Sequence, residues 1–196
     1  QQYGLAVLLP LVKVLIGVYL GCIIHAVVTL GGTVAFFGRL NPLKFFKGIV
    51  DALAIAYSTA SSSGTLPVTI KCARKNLGVS DSISSFVLPL GATINMDGTA
   101  MYQGVAALFV AQAYGIELAF AHYVTIILTS TLASIGSAGV PGAGLIMLTL
   151  VLNSVGLPIE GIAIIAGIDR VLDMARTTVN VVGDCMVTLI IAKTEN

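Results

Sequence analysis

The sequence is short of charge. Asp, Glu, Lys and Arg make up only 10% of its 196 residues, where a soluble domain carries about 25%. Apolar residues supply 57%, and the mean hydropathy is +1.00, so polar groups cannot cover the folded surface and its solvent is lipid. A soluble enzyme and a soluble binding module are both excluded. Charge of one sign is lacking too, since a formal net charge of +1 offers no basic field for nucleic acid. Cysteine is sparse: Cys22, Cys72 and Cys185 stand far apart with no CxxC pair, which leaves neither a disulfide framework nor a thiolate metal site. His25 and His122 have no ligand spacing either. The chain opens Gln1-Gln2-Tyr3, with no initiator Met and no charged segment before a short apolar core. That is unlike a secretory signal, and an internal piece of a longer membrane protein is expected.

What is present is a series of long apolar runs, enough for about six segments at about 20 residues each. Leu5 to Phe37, interrupted only by Lys13 and His25, reads as one spanning helix with a lead-in (residues 1–41), closed by the turn Gly38-Arg39-Leu40-Asn41-Pro42. Lys13 and His25 read as lone polar residues at the lipid interface or between helices. Residues 42–78 hold two apolar arms around Ser58-Thr59-Ala60-Ser61-Ser62-Ser63-Gly64-Thr65. Each arm is expected to make two or three turns, about 20 Å or less, which is too short for about 30 Å of hydrocarbon. A hairpin that enters the membrane and returns to the same side is expected, its tip buried in protein or lining a wet cavity. Residues 79–116 form a helix interrupted by Asn95-Met96-Asp97-Gly98-Thr99. Residues 117–156 repeat the hairpin plan around Ala133 to Gly142, and 157–196 form one long polar helix.

Charge orients these units. The roots of the first hairpin carry Arg39, Lys44, Lys47, Lys71, Arg74 and Lys75, whereas those of the second carry Glu117 and Glu160 and no Lys or Arg. By the positive-inside rule the first hairpin enters from the cytoplasm and the second from outside. The expected fold class is therefore an all-α polytopic membrane protein, an inverted repeat of a re-entrant helical hairpin plus an interrupted transmembrane helix. Both tips would meet near the midplane, which is a transporter plan.

The candidate chemistry sits in four places. Asp169, Asp173, Arg176, Asn180 and Asp184 are spaced by three or four and share a helical face. Ionised groups at the bilayer centre cost about 2.5–3.5 kcal/mol each on the lenient scale, so they must face one another, water or a ligand. A structural ion-pair network is one reading; a site for a charged solute and cations is the other. An unwound turn at Asn95 to Thr99 would free carbonyl oxygens for a hard cation such as Na⁺, although Met96 is a weak acceptor there. A glycine kink for close packing is the alternative, which Asp97 makes less comfortable. The serine tip presents hydroxyls and N–H groups at a half-helix start, suited to a carboxylate. The second tip, Gly-rich around Pro141, reads equally as tight packing or as a gate that moves.

The strings SSSGTLPVT, PLGATINMDGTA, ASIGSAGVPGAG and DMARTTVNVVGD closely resemble the signatures of the glutamate/aspartate:cation symporters, the family of archaeal aspartate transporters and excitatory amino acid transporters. The resemblance runs over nearly the whole chain and implies its sixth helix, both hairpins, and the seventh and eighth helices. It implies that Arg176 pairs with the side-chain carboxylate of the substrate and Asp173 with its amino group. Thr177 and Asn180 would hydrogen-bond it, Ser62, Ser63 and Thr99 would hold the main carboxylate, and Gly139 and Val140 would close over the site. For sodium, it implies one site from Asp184 with carbonyls of Gly91, Asn95 and Asn180. A second would use Thr93, Met96, Ser134, Ile135 and Ser137, and a third Asn95 and Asp97.

Departures from the family pattern are informative. Ala60 stands where some archaeal members have an Arg, Met174 where animal members have one, and Gln103 where animal members have a glutamate linked to proton transport. Arg170 lies near the position of that extra charge. Asp173 argues against a C4-dicarboxylate, whose transporters lack it. The expectation is thus a multi-pass protein of the cell inner (plasma) membrane, from a bacterial or archaeal source, and not an enzyme. It would take up L-aspartate or L-glutamate with Na⁺ by an elevator-type movement in the lipid bilayer. The N-terminal scaffold helices would be absent from this chain, and the scaffold domain and homotrimer would belong to the full-length protein. Alternatives are a neutral amino acid or C4-dicarboxylate symporter, a ligand-gated anion channel of this fold, or a non-transporting fragment.

Overall fold

The computed structural model describes residues 4–195, with side chains from Leu9 onward. Gln1, Gln2 and Tyr3 of the expected lead-in, and Asn196 at the other end, lie outside the described residues. Among those described, the chain is helical with no strand.

Helix α1 (Gly4–Ile24) continues through a π-helical stretch (His25–Leu30) into α2 (Gly31–Phe36). Leu9–Phe36 is long and apolar enough to cross a membrane, and only 22% of its apolar window is buried. Asn41 then caps α3 (Pro42–Thr59): its Oδ1 accepts the Leu43 N–H at 2.8 Å, and Pro42 takes the first position, where its missing N–H costs nothing. Ala60, left-handed at φ 52°, stops that helix. Ser61 caps α4 (Ser62–Leu77), its Oγ accepting the Gly64 N–H at 3.0 Å. After Gly78, Ser80 caps α5 (Asp81–Ile94), which breaks at Asn95 and Met96 and resumes as α6 (Asp97–Ala113). The second hairpin is α7 (Phe120–Ile135) and α8 (Ala143–Ser154). A 3-10 turn (Ile159–Gly161) and a short α9 (Ile162–Ala166) lead to α10 (Asp169–Thr194).

Helix α10 is the hub. It packs against α1, α3, α4, α5 and α6, and 67% of its most apolar window is buried although it carries the densest charge. The outside is apolar by contrast, with Phe36, Leu43, Phe86, Phe120 and Ile146 between 73% and 82% exposed. A polar axis inside an apolar exterior is the reverse of a soluble fold, whose exposed apolar patches stay small.

Two sequence expectations need correction. The first hairpin's arms hold 18 and 16 residues, about 27 and 24 Å at 1.5 Å per residue, not two or three turns. The reason is that Lys44, Lys47, Lys71, Arg74 and Lys75 belong to these helices although they are not apolar. The last segment is not one helix either. It breaks at Gly167 and Ile168, so Asp169 lies in the first turn of α10 rather than inside a longer helix.

Candidate functional site

The two hairpin tips meet beside the α5–α6 break and the N-terminal half of α10. The Ser63 N–H donates to the Gly139 carbonyl at 3.0 Å, and Ser61 Oγ donates to the same oxygen at 2.7 Å. This approach requires Gly139, because a Cβ there would stand 2.6 Å from Ser63 Oγ and 2.7 Å from the Ala92 carbonyl. On the far side of the second tip, the Gly142 N–H donates to Asp173 Oδ2 at 2.8 Å.

Arg176 occupies the centre and is 1% exposed. Its Nε donates to Asp173 Oδ1 at 2.9 Å, its Nη1 to Asp169 Oδ1 at 3.0 Å, and its guanidinium carbon lies 4.1 Å from the Tyr102 ring centroid. Thr177 Oγ1 also donates to Asp173 Oδ1, at 3.0 Å. Asn180 ties α10 to the break. Its Oδ1 accepts the Gly98 N–H at 2.8 Å and its Nδ2 donates to Thr99 Oγ1 at 3.1 Å. Helix α6 has no side-chain cap of its own, so Asn180 satisfies one of its orphan donors from another helix. Gly98 is essential to that crossing, since a Cβ there would collide with the Arg176 backbone.

Of the expected substrate residues, Ser62, Thr99, Gly139, Val140, Asp173, Arg176, Thr177 and Asn180 line one cleft, together with Met96 and Ser137. Ser63 stands at its edge, held through its backbone to Gly139. The cavity is about 10 Å³, room for one water molecule, so the tips close it. Ser137 Oγ is buried there without a hydrogen-bond partner.

The expected ion ligands are only partly gathered. Asn95 Nδ2 donates to Asp184 Oδ1 at 3.0 Å, and that carboxylate lies against Gly91, where a Cβ would come within 2.6 Å of it. Asn95, Asp184 and Gly91 therefore form one cluster. Met96 and Ser137 share the cleft, whereas Thr93 donates to the Leu90 carbonyl of its own helix and Ser134 to Thr131. No side-chain bond among the described residues joins Thr93 to Ser134, Ile135 or Ser137. Asp97 has another partner: its Oδ2 is 2.9 Å from His25 Nε2. His25 is thus an interhelical residue, one of the two readings the sequence offers for it.

Sequence reasoning missed four members of this site. Asp169 was counted on the polar face but given no role, yet it grips Arg176 seven residues on. Tyr102 stacks under Arg176, three residues after Thr99 on the same face of α6. Ser61 and Gly142 are placed by the sequence in the two tips only, with no role in the site. Spacing could have found the first two; only a fold could find the others. Arg170, near the place of the family's extra charge, turns elsewhere, donating from Nη2 to the Ser58 carbonyl at 3.0 Å.

Comparison with known proteins gives a consistent result. A family model described as the sodium:dicarboxylate symporter family matches residues 1–194. The chain is 49% identical over 166 residues to an excitatory amino acid transporter of Caenorhabditis elegans, covering 85% of this chain and 33% of that protein. It is 50% identical over 170 residues to excitatory amino acid transporter 2 of Homo sapiens (87% and 30%) and 50% over 169 residues to excitatory amino acid transporter 1 of Homo sapiens (86% and 31%). The chain spans about a third of the length of the curated relatives it matches. These relatives are animal proteins, so the expectation of a bacterial or archaeal source draws no support from them.

Proposed function

This chain belongs to the sodium:dicarboxylate symporter family, a family of membrane transporters rather than enzymes, and from that premise we propose that it forms most of the transport domain of a sodium-coupled symporter for L-aspartate or L-glutamate. The observation that carries this reading is a charge imbalance. Among the described residues Asp169, Asp173 and Asp184 are buried and one guanidinium is, that of Arg176; it pairs with the first two, while Asp184 accepts from the Asn95 amide. Buried charge without a partner costs several kcal/mol, so the fold is built to receive cations along with its solute.

Arg176 is the group for a solute carboxylate, because its planar fork matches one. Asp173 is its counterpart for an ammonium. The solute's two charges would take over contacts that these residues now make with each other, while Asp169 and Tyr102 keep the guanidinium in place. Thr177 and Asn180 line the wall, and Ser62, Ser63 and Thr99 face the second carboxylate. Na⁺ would sit at Asp184 with carbonyls of Gly91, Asn95 and Asn180, at Thr93, Met96, Ser134, Ile135 and Ser137, and at Asn95 and Asp97. The last pair requires His25 to release Asp97.

Entry requires the second tip, with Gly139 and Val140, to lift. Coupling follows if Na⁺ and solute favour the same closed state, since a ligand shifts an equilibrium only by its differential affinity. In this reading α3–α4 is a hairpin entering from the cytoplasm and α7–α8 one entering from outside, within a multi-pass plasma-membrane protein. The units 1–41, 42–78, 79–116, 117–156 and 157–196 would then move as one body against a scaffold, in a homotrimer, as an elevator does.

The test is calorimetric binding of L-aspartate and L-glutamate to the intact protein, with Na⁺ and with choline in its place. Tight binding only with Na⁺, abolished in Arg176→Ala, supports the reading. Binding of a neutral amino acid or of succinate instead would overturn the substrate class, and sodium-independent binding would overturn the coupling.

A further inference from the structure

The first hairpin's tip is fastened from outside the cleft. Arg170 is exposed, in the first turn of α10, where its charge faces the unfavourable positive end of its own helix. None of the ion pairs among the described residues includes it. Its Nη2 donates to the Ser58 carbonyl at 3.0 Å, across 112 positions of sequence. Ser58 is the penultimate residue of α3, and the last four carbonyls of a helix have no partner within it. Helix α3 carries no basic residue in its last turn. Arg170 therefore supplies from α10 the cation and donor that α3 lacks at its negative end.

A second tie lies alongside. Tyr19 Oη donates to the Val171 carbonyl at 2.9 Å and lies 3.2 Å from Tyr57 Oη. Each phenol has one proton. That of Tyr19 goes to Val171, so Tyr57 is the donor between the two rings. The last turn of α3 is thus joined to the first turn of α10 twice, once directly and once through α1. One left-handed residue later, at Ala60, the chain reaches Ser61 and its bond to Gly139.

We propose that Arg170 and Tyr19 are positioning residues, a clasp that fixes the first hairpin's tip on α10 so that the cleft has one rigid wall. Among the described residues the second tip is tied to Ser61 and Ser63 beside the cleft and to Asp173 within it, and by a longer bond of 3.4 Å from Gln103 Nε2 to the Gly144 carbonyl. The functional side of this inference rests on the binding role proposed above; the clasp itself does not.

The test uses the intact protein in lipid nanodiscs, as wild type, Arg170→Ala, Arg170→Lys and Tyr19→Phe. Two readouts are needed: backbone hydrogen exchange and the dissociation rate of L-aspartate in Na⁺. Exchange at residues 60–65 is expected to quicken about 5- to 10-fold in Arg170→Ala, the effect of losing one solvent-exposed hydrogen bond of ordinary net strength, and by less in Tyr19→Phe. Exchange at 139–145 stays at the wild-type rate, and Arg170→Lys restores most of the protection. Aspartate dissociation quickens in parallel. Unchanged exchange at 60–65 overturns the clasp. Faster exchange with unchanged dissociation overturns its positioning role. If wild type binds no aspartate, the proposed substrate fails, while the exchange comparison still decides whether the clasp exists.

Discussion

The two hairpins share a plan and differ in how they are held. The first has long, basic-rooted arms, a serine cap at its tip and fastenings to α10 and α1 that bypass the cleft. Its root is also tied, with Arg74 donating to Ser84 Oγ at 2.8 Å and pairing with Asp81 at 3.0 Å. The second has shorter arms of 16 and 12 residues, acidic residues near its roots, and a tip that turns at Gly142 with φ 80° and no side-chain cap. Most of what holds the second tip lies at or beside the cleft, where a solute could compete; the 3.4 Å bond from Gln103 to the Gly144 carbonyl is the exception. On the proposed reading, a gate would be made less by its own flexibility than by what its anchors are: bonds to the ligand site would open when the site is in use, and bonds elsewhere would not.

The sharpest way to break this comparison is topological. A Cys at Lys75 should react with a membrane-impermeant thiol reagent only from the cytoplasm, and a Cys at Glu117 only from outside, an all-or-none contrast. The native Cys22, Cys72 and Cys185 are buried and should stay silent. Labelling of both positions from one side would remove the inverted arrangement. Next in size is Asp173→Asn, which unties the second tip and disturbs Arg176. Sodium-dependent binding is expected to weaken by 100-fold or more, in line with about 2–5 kcal/mol for truncating a buried charge pair. Exchange should rise at 139–145 and not at 60–65, and an equal rise at both tips would mean that they move together. Gly139→Ala should force the tips apart and weaken binding about 10-fold, read by calorimetry, since contacts at 2.6 and 2.7 Å cannot be relieved by side-chain rotation against the Ala92 carbonyl. Gly142→Ala is the most local. Left-handed backbone costs a residue with a Cβ about 1–2 kcal/mol, so the closed tip should lose about 5- to 30-fold in population, seen as faster exchange at 139–145 alone.

Much of this was legible before any coordinates. Asn95, Asp97 and Gly98 announce a break because their side chains, or the lack of one, compete with helix. Asp173, Arg176 and Asn180 announce a shared face because their spacing allows no other. The rest had weaker local signals. The break at Gly167 is marked only by that glycine and Asp169, set among apolar residues, whereas the run Asn95 to Gly98 concentrates several breakers. The true length of α3 was signalled by Asn41 and Pro42, a cap and a first-turn proline, but apolar counting passes over them. The pairing of His25 with Asp97 joins residues 72 positions apart, and no periodicity reports a contact between two helices.

The π-helical stretch His25–Leu30 has a consequence for alignment along the first helix. Its core-facing positions are Val14, Val18, Cys22, Ala26, Leu30 and Val34, a step of four repeated without relief. On an ideal α-helix of 3.6 residues per turn each such step overshoots by about 40°, so the row would wind about 200° around the axis from end to end. A wider turn in the middle takes back part of that winding and keeps both halves of the row against the same partners. The stretch works as a phase correction, and its effect depends on residue number rather than residue type. Loss of one residue between His25 and Leu30 would rotate everything after it by about 100°, turning Leu30 and Val34 out of the core. Conservative substitutions in the same six positions would leave the phase intact.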